Sequence, residues 1–163
     1  MIKAIFATDI QGGMGYKGSL PWPHDREDLL SFKQITSGHI VIMGSNTWSD
    51  PVMPKPLPNR TCIVVTNQDV KKFNQAHEVI SGPWLKESLE MLSQHNPNKT
   101  IWIIGGAKLL LSCKPYIKEI NLTTFMTEYN CDVKLDMKEY LQGFGKNTES
   151  FGRNKIFTTW TRI

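Results

Sequence analysis

Asp28 stands four residues before Phe32 and seven before Ile35, in a segment (Asp25 to Thr36) whose apolar residues Leu29, Phe32 and Ile35 recur at helical spacing. The carboxylate therefore sits beside the face that the helix turns toward apolar neighbours, an unfavourable place for a solvated charge. An acid there has two uses. Near a helix start, with Asp25 as a cap residue, it can satisfy backbone donors and complement the helix dipole. Facing a pocket, it can hold an amidine-like edge of adjacent N–H donors, which favours the ionised form against burial. Spacing alone leaves these readings even. Asp25 and Glu27 project in other directions and are expected to be solvated.

Two glycine-bearing junctions offer a different chemistry. Gly44-Ser45-Asn46-Thr47 follows an apolar run, and Gly105-Gly106-Ala107-Lys108 follows another. Where a strand ends and a helix opens, glycines let backbone N–H groups and the positive helix end approach a phosphate. The same residues also serve ordinary turns and helix caps, and neither a P-loop nor the six-residue dinucleotide fingerprint is present. Thr66-Asn67 ends a further strand-like run. The loop from Asp9 to Ser19 carries Gly12, Gly13, Gly15 and Gly18 and leads into Leu20-Pro21-Trp22. It reads as a lid with an anchored aromatic wall, or as a flexible surface loop.

These residues need a scaffold. Short, β-branched runs at Ile2 to Thr8, His39 to Met43, Thr61 to Thr66, Glu78 to Ser81 and Thr100 to Ile104 predict buried strands. Helical patterns at Asp25 to Thr36, Pro83 to Gln94 and Ala107 to Lys114 alternate with them. The expected fold is α/β: a single domain over residues 1–163, with a mixed, mostly parallel central sheet flanked by helices. Ile117 to Glu128 and Lys155 to Ile163, with no clear helix between, predict an antiparallel C-terminal strand pair. In such sheets ligands bind beyond the carboxyl ends of strands, where the glycine junctions fall.

Composition excludes several classes. The 163 residues suit one domain, and no run approaches the roughly 20 apolar residues of a membrane helix. The beginning of the chain lacks a signal-peptide pattern, so a cytoplasmic protein is expected. Cys62, Cys113 and Cys131 make no disulfide framework, and the four histidines have no ligand spacing, so no metal is expected. A net charge of +4 suits a small anionic ligand. The longest cationic cluster is Lys71-Lys72, too little for a nucleic-acid surface.

The ordered set Leu20-Pro21-Trp22, Asp28-Leu29, Phe32-Lys33, Val41-Ile42-Met43-Gly44 with Thr47-Trp48, Pro56-Leu57-Pro58 with Arg60, and Ile104-Gly105-Gly106 resembles dihydrofolate reductase. The likeness runs from about Ile2 through Asp132. It implies an NADPH-dependent reduction of dihydrofolate to tetrahydrofolate by a monomer, in support of one-carbon metabolism. Asp28 would hold the 2-amino and N3 side of the pterin, with Thr123 supporting the carboxylate and water near Trp22 and Leu20 protonating N5. The resemblance places Ile5, Ala7, Leu29, Phe32 and Leu57 around the substrate, Ile104 near the nicotinamide and Arg60 on the glutamate carboxylate. It assigns the cofactor to Ala7, Met14, Gly15, Gly18, Ser19, Leu20, Gly44, Ser45, Asn46, Thr47, Thr66, Asn67, Ile104, Gly105, Gly106, Ala107, Lys108, Leu109 and Leu110, and implies a cis Gly105-Gly106 peptide.

Departures fall on the cofactor side. Ser45 stands where relatives commonly carry arginine, which leaves NADH open as a cofactor, with Lys108 and Lys71-Lys72 as alternative cations. Ala107 replaces a frequent third glycine and Leu110 a frequent aromatic residue. Two other functions fit the same fold: a pyrimidine reductase of riboflavin synthesis, and a non-catalytic nucleotide- or folate-binding module.

Overall fold

The computed structural model describes residues 1–163. Ten strands form: β1 (Ile2–Asp9), β2 (Gly13–Gly15), β3 (Ile40–Gly44), β4 (Thr61–Val65), β5 (Glu78–Ile80), β6 (Ile101–Gly105), β7 (Glu119–Phe125), β8 (Val133–Lys134), β9 (Phe144–Gly152) and β10 (Lys155–Arg162). The helices are α1 (Arg26–Thr36), α2 (Ser45–Trp48), α3 (Leu85–His95), α4 (Ala107–Cys113) and α5 (Met137–Tyr140). Eight strands share one sheet in the order β5-β4-β3-β6-β1-β7-β10-β9, and β2 pairs with β8 separately. Pairings from β5 to β7 are parallel, and β10 runs antiparallel to both β7 and β9.

Near-continuous apolar runs explain why the central strands, whose side chains alternate between the two faces, are buried on both. Phe6, Ile40, Ile42, Ile63, Ile101 and Ile103 join the larger core, together with Leu89 of α3 and Leu109, Leu110 and Cys113 of α4. Their neighbours Ile5, Val41, Met43, Cys62, Val64 and Trp102 form the opposite core, against which Phe32 and Ile35 of α1 pack. Helices thus cover both faces, as the sequence pattern predicts.

The antiparallel C-terminal pair is present as β7 and β10, with β9 at the edge of the sheet beyond β10. β9, which lacks a sequence signal, lies outside it because its segment Phe144–Gly152 is polar and almost wholly exposed beyond Phe144. Its backbone pairing with β10, not a hydrophobic stripe, makes it a strand. The β3–β6 register shifts between Ile42↔Ile103 and Met43↔Gly105, leaving Ile104 as an extra residue beside a cis Gly105–Gly106 peptide. That irregularity lies at the carboxyl end of the sheet, where the cleft opens.

Candidate active site

A cleft of about 1820 Å³ runs along the carboxyl ends of the parallel strands. Asp28, Leu29, Phe32, Leu57, Arg60 and Thr123 line it, as do Gly44 to Thr47, Thr66, Asn67 and Gly105 to Leu109. The central strands contribute Ile5, Ala7 and Ile104, and the glycine-rich loop contributes Met14, Gly15, Gly18, Ser19 and Leu20, followed by Trp22. Leu110 is the exception among the expected residues. Fully buried, it lies with Cys113 on the core side of α4, and its carbonyl accepts the Tyr140 hydroxyl at 2.8 Å.

Asp28 is built in from two directions. Its backbone N–H donates to Asp25 Oδ1 at 2.9 Å, the capping contact that starts α1. Its side chain receives the Thr123 hydroxyl at 2.8 Å from β7, so one carboxylate oxygen is held while the group faces the cleft. Burial pushes the carboxyl above its ordinary value; the Thr123 hydrogen bond opposes this, and the anions Asp25 and Glu27 add to it while Lys155 counters them. Cap and pocket roles, left even by spacing, thus divide between Asp25 and Asp28.

Glu27 is exposed, as expected of a solvated acid, and Asp25 is half-buried, but both acids also pair with a lysine. Lys155, 2% exposed, places Nζ 2.6 Å from Glu27 Oε1 and 3.2 Å from Asp25 Oδ2. The acids of the first turn are drawn toward a cation that lies far away in sequence, which a helical-wheel reading of α1 does not include.

Arg60 is 8% exposed and fixed by its own donors: Nε to the Pro58 carbonyl at 2.8 Å and Nη1 to Thr36 Oγ1 at 3.2 Å. The guanidinium carbon lies 5.7 Å from the Phe32 ring centroid. Desolvation lowers its pKa, and no carboxylate of the chain forms an ion pair with it. A cleft-lining cation of this kind suits an external carboxylate.

Elsewhere in the cleft, α2 begins at Gly44 and α4 at Gly106, and neither has a side-chain cap. Their leading N–H groups remain available to an anion. The two junctions lie side by side, a Cβ on Gly44 falling at ordinary contact distance, 3.8 Å, from Gly106 N. Ser45 Oγ accepts Gln68 Nε2 at 3.3 Å. Lys108 lines the cleft, whereas Lys71 and Lys72 are exposed on the turn Val70–Phe73 outside it. Two uncapped helix starts side by side and one cationic side chain fit a phosphate-bearing dinucleotide.

Trp22 is a fixed wall, stacked on Phe125 with ring centroids 4.4 Å apart and edge-on to Tyr129 at 6.2 Å. The glycine-rich loop is structured: β2 pairs with β8, Lys17 N donates to Asp132 Oδ2 at 2.9 Å, and Ser19 Oγ reaches Asp50 Oδ1 at 3.1 Å. Its base rests on Asp9, 2% exposed, which accepts the N–H groups of Gln11, Gly13 and Tyr129 at 2.8–2.9 Å and the Cys131 thiol at 3.6 Å. Asp9 ends β1, so the strand-end rule that exposed the glycine junctions also marks this acid. Burial pushes its pKa up, but the donors outweigh burial and hold it below the ordinary value.

Asp9→Asn replaces one acceptor oxygen by a donor facing N–H groups, and is expected to cost about 1–3 kcal/mol at neutral pH. Because the folded pKa is depressed, the carboxylate's contribution is present above the ordinary carboxylate pKa and disappears as pH falls through the folded value. Unfolding curves of wild type and variant should therefore converge in acid; a constant gap at all pH values would contradict the assignment.

Fold and cleft together define a class: an α/β protein whose main cleft lies at the carboxyl ends of a parallel sheet, with an acid held in the cleft and glycine-led helix starts beside it. The chain belongs to the dihydrofolate reductase family, whose family model, described as "Dihydrofolate reductase", matches residues 1–160. It is 39% identical over 132 residues to a dihydrofolate reductase of Bacillus subtilis, covering 81% of this chain and 73% of that protein. It is 30% identical to dihydrofolate reductase type 8 of Escherichia coli, covering 90% and 86% of the two chains. A dihydrofolate reductase of Mycobacterium leprae is 32% identical, with 82% and 79% covered.

Proposed function

We propose that the protein reduces 7,8-dihydrofolate to 5,6,7,8-tetrahydrofolate with NADPH, in support of one-carbon metabolism. The observation that carries this reading is the Thr123–Asp28 pair at 2.8 Å inside the cleft. A carboxylate with one oxygen held by a hydroxyl is prepared to receive the parallel N–H donors of the pterin's 2-amino and N3 edge. Leu29, Phe32 and Leu57 offer apolar contact to the rings, and Arg60 offers paired donors to the glutamate carboxylate.

Reduction adds a hydride at C6 and a proton at N5. When bound, NADPH would supply the hydride. Asp28 orients the ring and stabilises positive charge as N5 is protonated, while Leu20 and Trp22 border the route by which water reaches N5. Gly44 to Thr47, Thr66, Asn67 and Gly105 to Leu109 hold the dinucleotide through backbone N–H groups and short polar side chains. Lys108 is the cationic side chain in that set, and Ser45 stands where relatives commonly carry arginine, which leaves NADH open as a cofactor beside NADPH. We place the enzyme in the cytoplasm as a monomer, where Cys62, Cys113 and Cys131, all free, remain reduced.

Purified protein given dihydrofolate and NADPH should oxidise the reduced nicotinamide, followed as the loss of its absorbance. Tight NADPH binding without turnover would instead support a binding module, and turnover of a phosphoribosyl pyrimidine alone would support the riboflavin-pathway reductase. Family membership and the Asp28–Thr123 pair favour neither.

A further inference from the structure

Lys155 opens β10, immediately after the turn that joins β9 to β10. All its donors are engaged: Nζ reaches Glu27 Oε1 at 2.6 Å, the Arg153 carbonyl at 2.6 Å and Asp25 Oδ2 at 3.2 Å. The same Glu27 oxygen accepts the Arg153 N–H at 2.9 Å, which latches the hairpin tip onto the first turn of α1. Gly152 makes the approach possible, because a Cβ there would fall 2.6 Å from Glu27 Oε1 and 2.8 Å from the Phe157 ring. The ammonium also lies 5.8 Å from the centroid of Phe125, the ring on which Trp22 stacks.

Two strands thus converge on the substrate acid. β7 sends Thr123 to the Asp28 carboxylate and Phe125 to Trp22; its neighbour β10 sends Lys155 to Asp25, whose other oxygen holds the Asp28 N–H. Without Lys155, the start of α1 would present Asp25, Glu27 and Asp28 together. The other charged or titratable groups nearby are exposed Arg26 on α1, Arg153 on the hairpin, and His24 and Arg60 lining the same cleft. None of these forms an ion pair with Asp25, Glu27 or Asp28.

We infer that Lys155 is a positioning residue of the reductase site, a buried cation that offsets Asp25 and Glu27 and so fixes both the placement and the charge of Asp28. This rests on Asp28 being the acid that meets the pterin. The alternative is a tether that only stabilises the hairpin. A tether affects stability and activity together but does not move the ionisation of Asp28.

The test follows the pH dependence of kcat/KM for dihydrofolate at saturating NADPH, taking as the Asp28 midpoint the one that disappears in Asp28→Asn. Lys155→Met, similar in length and uncharged, is expected to lower kcat/KM roughly tenfold and to move that midpoint to higher pH, with NADPH affinity unchanged. Adding Asp25→Asn and Glu27→Gln removes the uncompensated anions and should return the midpoint toward wild type, since asparagine caps a helix as well as aspartate. Glu27→Gln alone, at an exposed position, should move the midpoint the opposite way, to lower pH, and keeps the test available if Lys155→Met does not fold. An unmoved midpoint in Lys155→Met or Glu27→Gln, or no return in the triple variant, overturns the inference. Failure of the wild type to reduce dihydrofolate would instead overturn the underlying function.

Discussion

Asp28→Asn is expected to lower kcat/KM for dihydrofolate by about two to three orders of magnitude and, in the free protein, to raise Tm by a few degrees. The two effects have one cause. Asparagine keeps the size of the side chain and can still accept the Thr123 hydroxyl, so the wall of the cleft is preserved. It loses the negative charge and one acceptor, and its NH2 group confronts the N–H donors that the pterin offers. NADPH affinity should not change, because the glycine-led helix starts belong to other elements.

The stability gain follows from the direction of the Asp28 shift. Burial leads the causes that raise its folded pKa above the ordinary carboxylate value. The folded state therefore holds the proton more tightly than the unfolded chain, and stability declines as pH rises from the ordinary value to the folded one. Above that window the folded protein carries the full cost of an ionised, largely buried acid, which asparagine removes. Thermal melts should show the variant's advantage at neutral pH and its loss in acid. A structural acid would give the opposite pairing, with activity and Tm falling together.

The same conflict between local stability and function made Asp28 visible in the sequence: an acid at an apolar helical position is a departure from pattern, and such departures concentrate at sites. The parallel strands and α1, α3 and α4 were legible because short, continuous β-branched runs and three-to-four spacing report burial directly. The glycine junctions were legible from the rule that α/β sheets bind ligands at strand ends. β9 was not, because its polar residues face solvent and its only strong constraint is backbone pairing with β10. Lys155 was equally hidden, since its partner Glu27 is 128 residues away and nothing near it in sequence announces an ion pair. Leu110 shows the converse limit: a likeness between sequences aligns a position with a cofactor contact, but the turn of α4 directs this side chain into the core.

Arg60 should show its role most clearly in KM. Arg60→Met is expected to raise KM for dihydrofolate about a hundredfold, with a smaller change in kcat and none in NADPH affinity. Thr36 and Pro58 already position the guanidinium, so the free protein has spent the ordering entropy before substrate arrives. Desolvation of a cation without an acidic partner in the chain adds an unmet electrostatic demand that a ligand carboxylate satisfies. Methionine fills similar apolar space against Phe32 and removes the buried charge, so little stability should be lost and binding can be separated from folding. Arg60→Lys keeps the charge but not the paired donors, and should fall between the two. The decisive comparison uses a reduced pterin substrate lacking the glutamate: wild type and Arg60→Met should handle it equally. An equal penalty for both substrates would place Arg60 in the wall that shapes the ring pocket and not on the carboxylate.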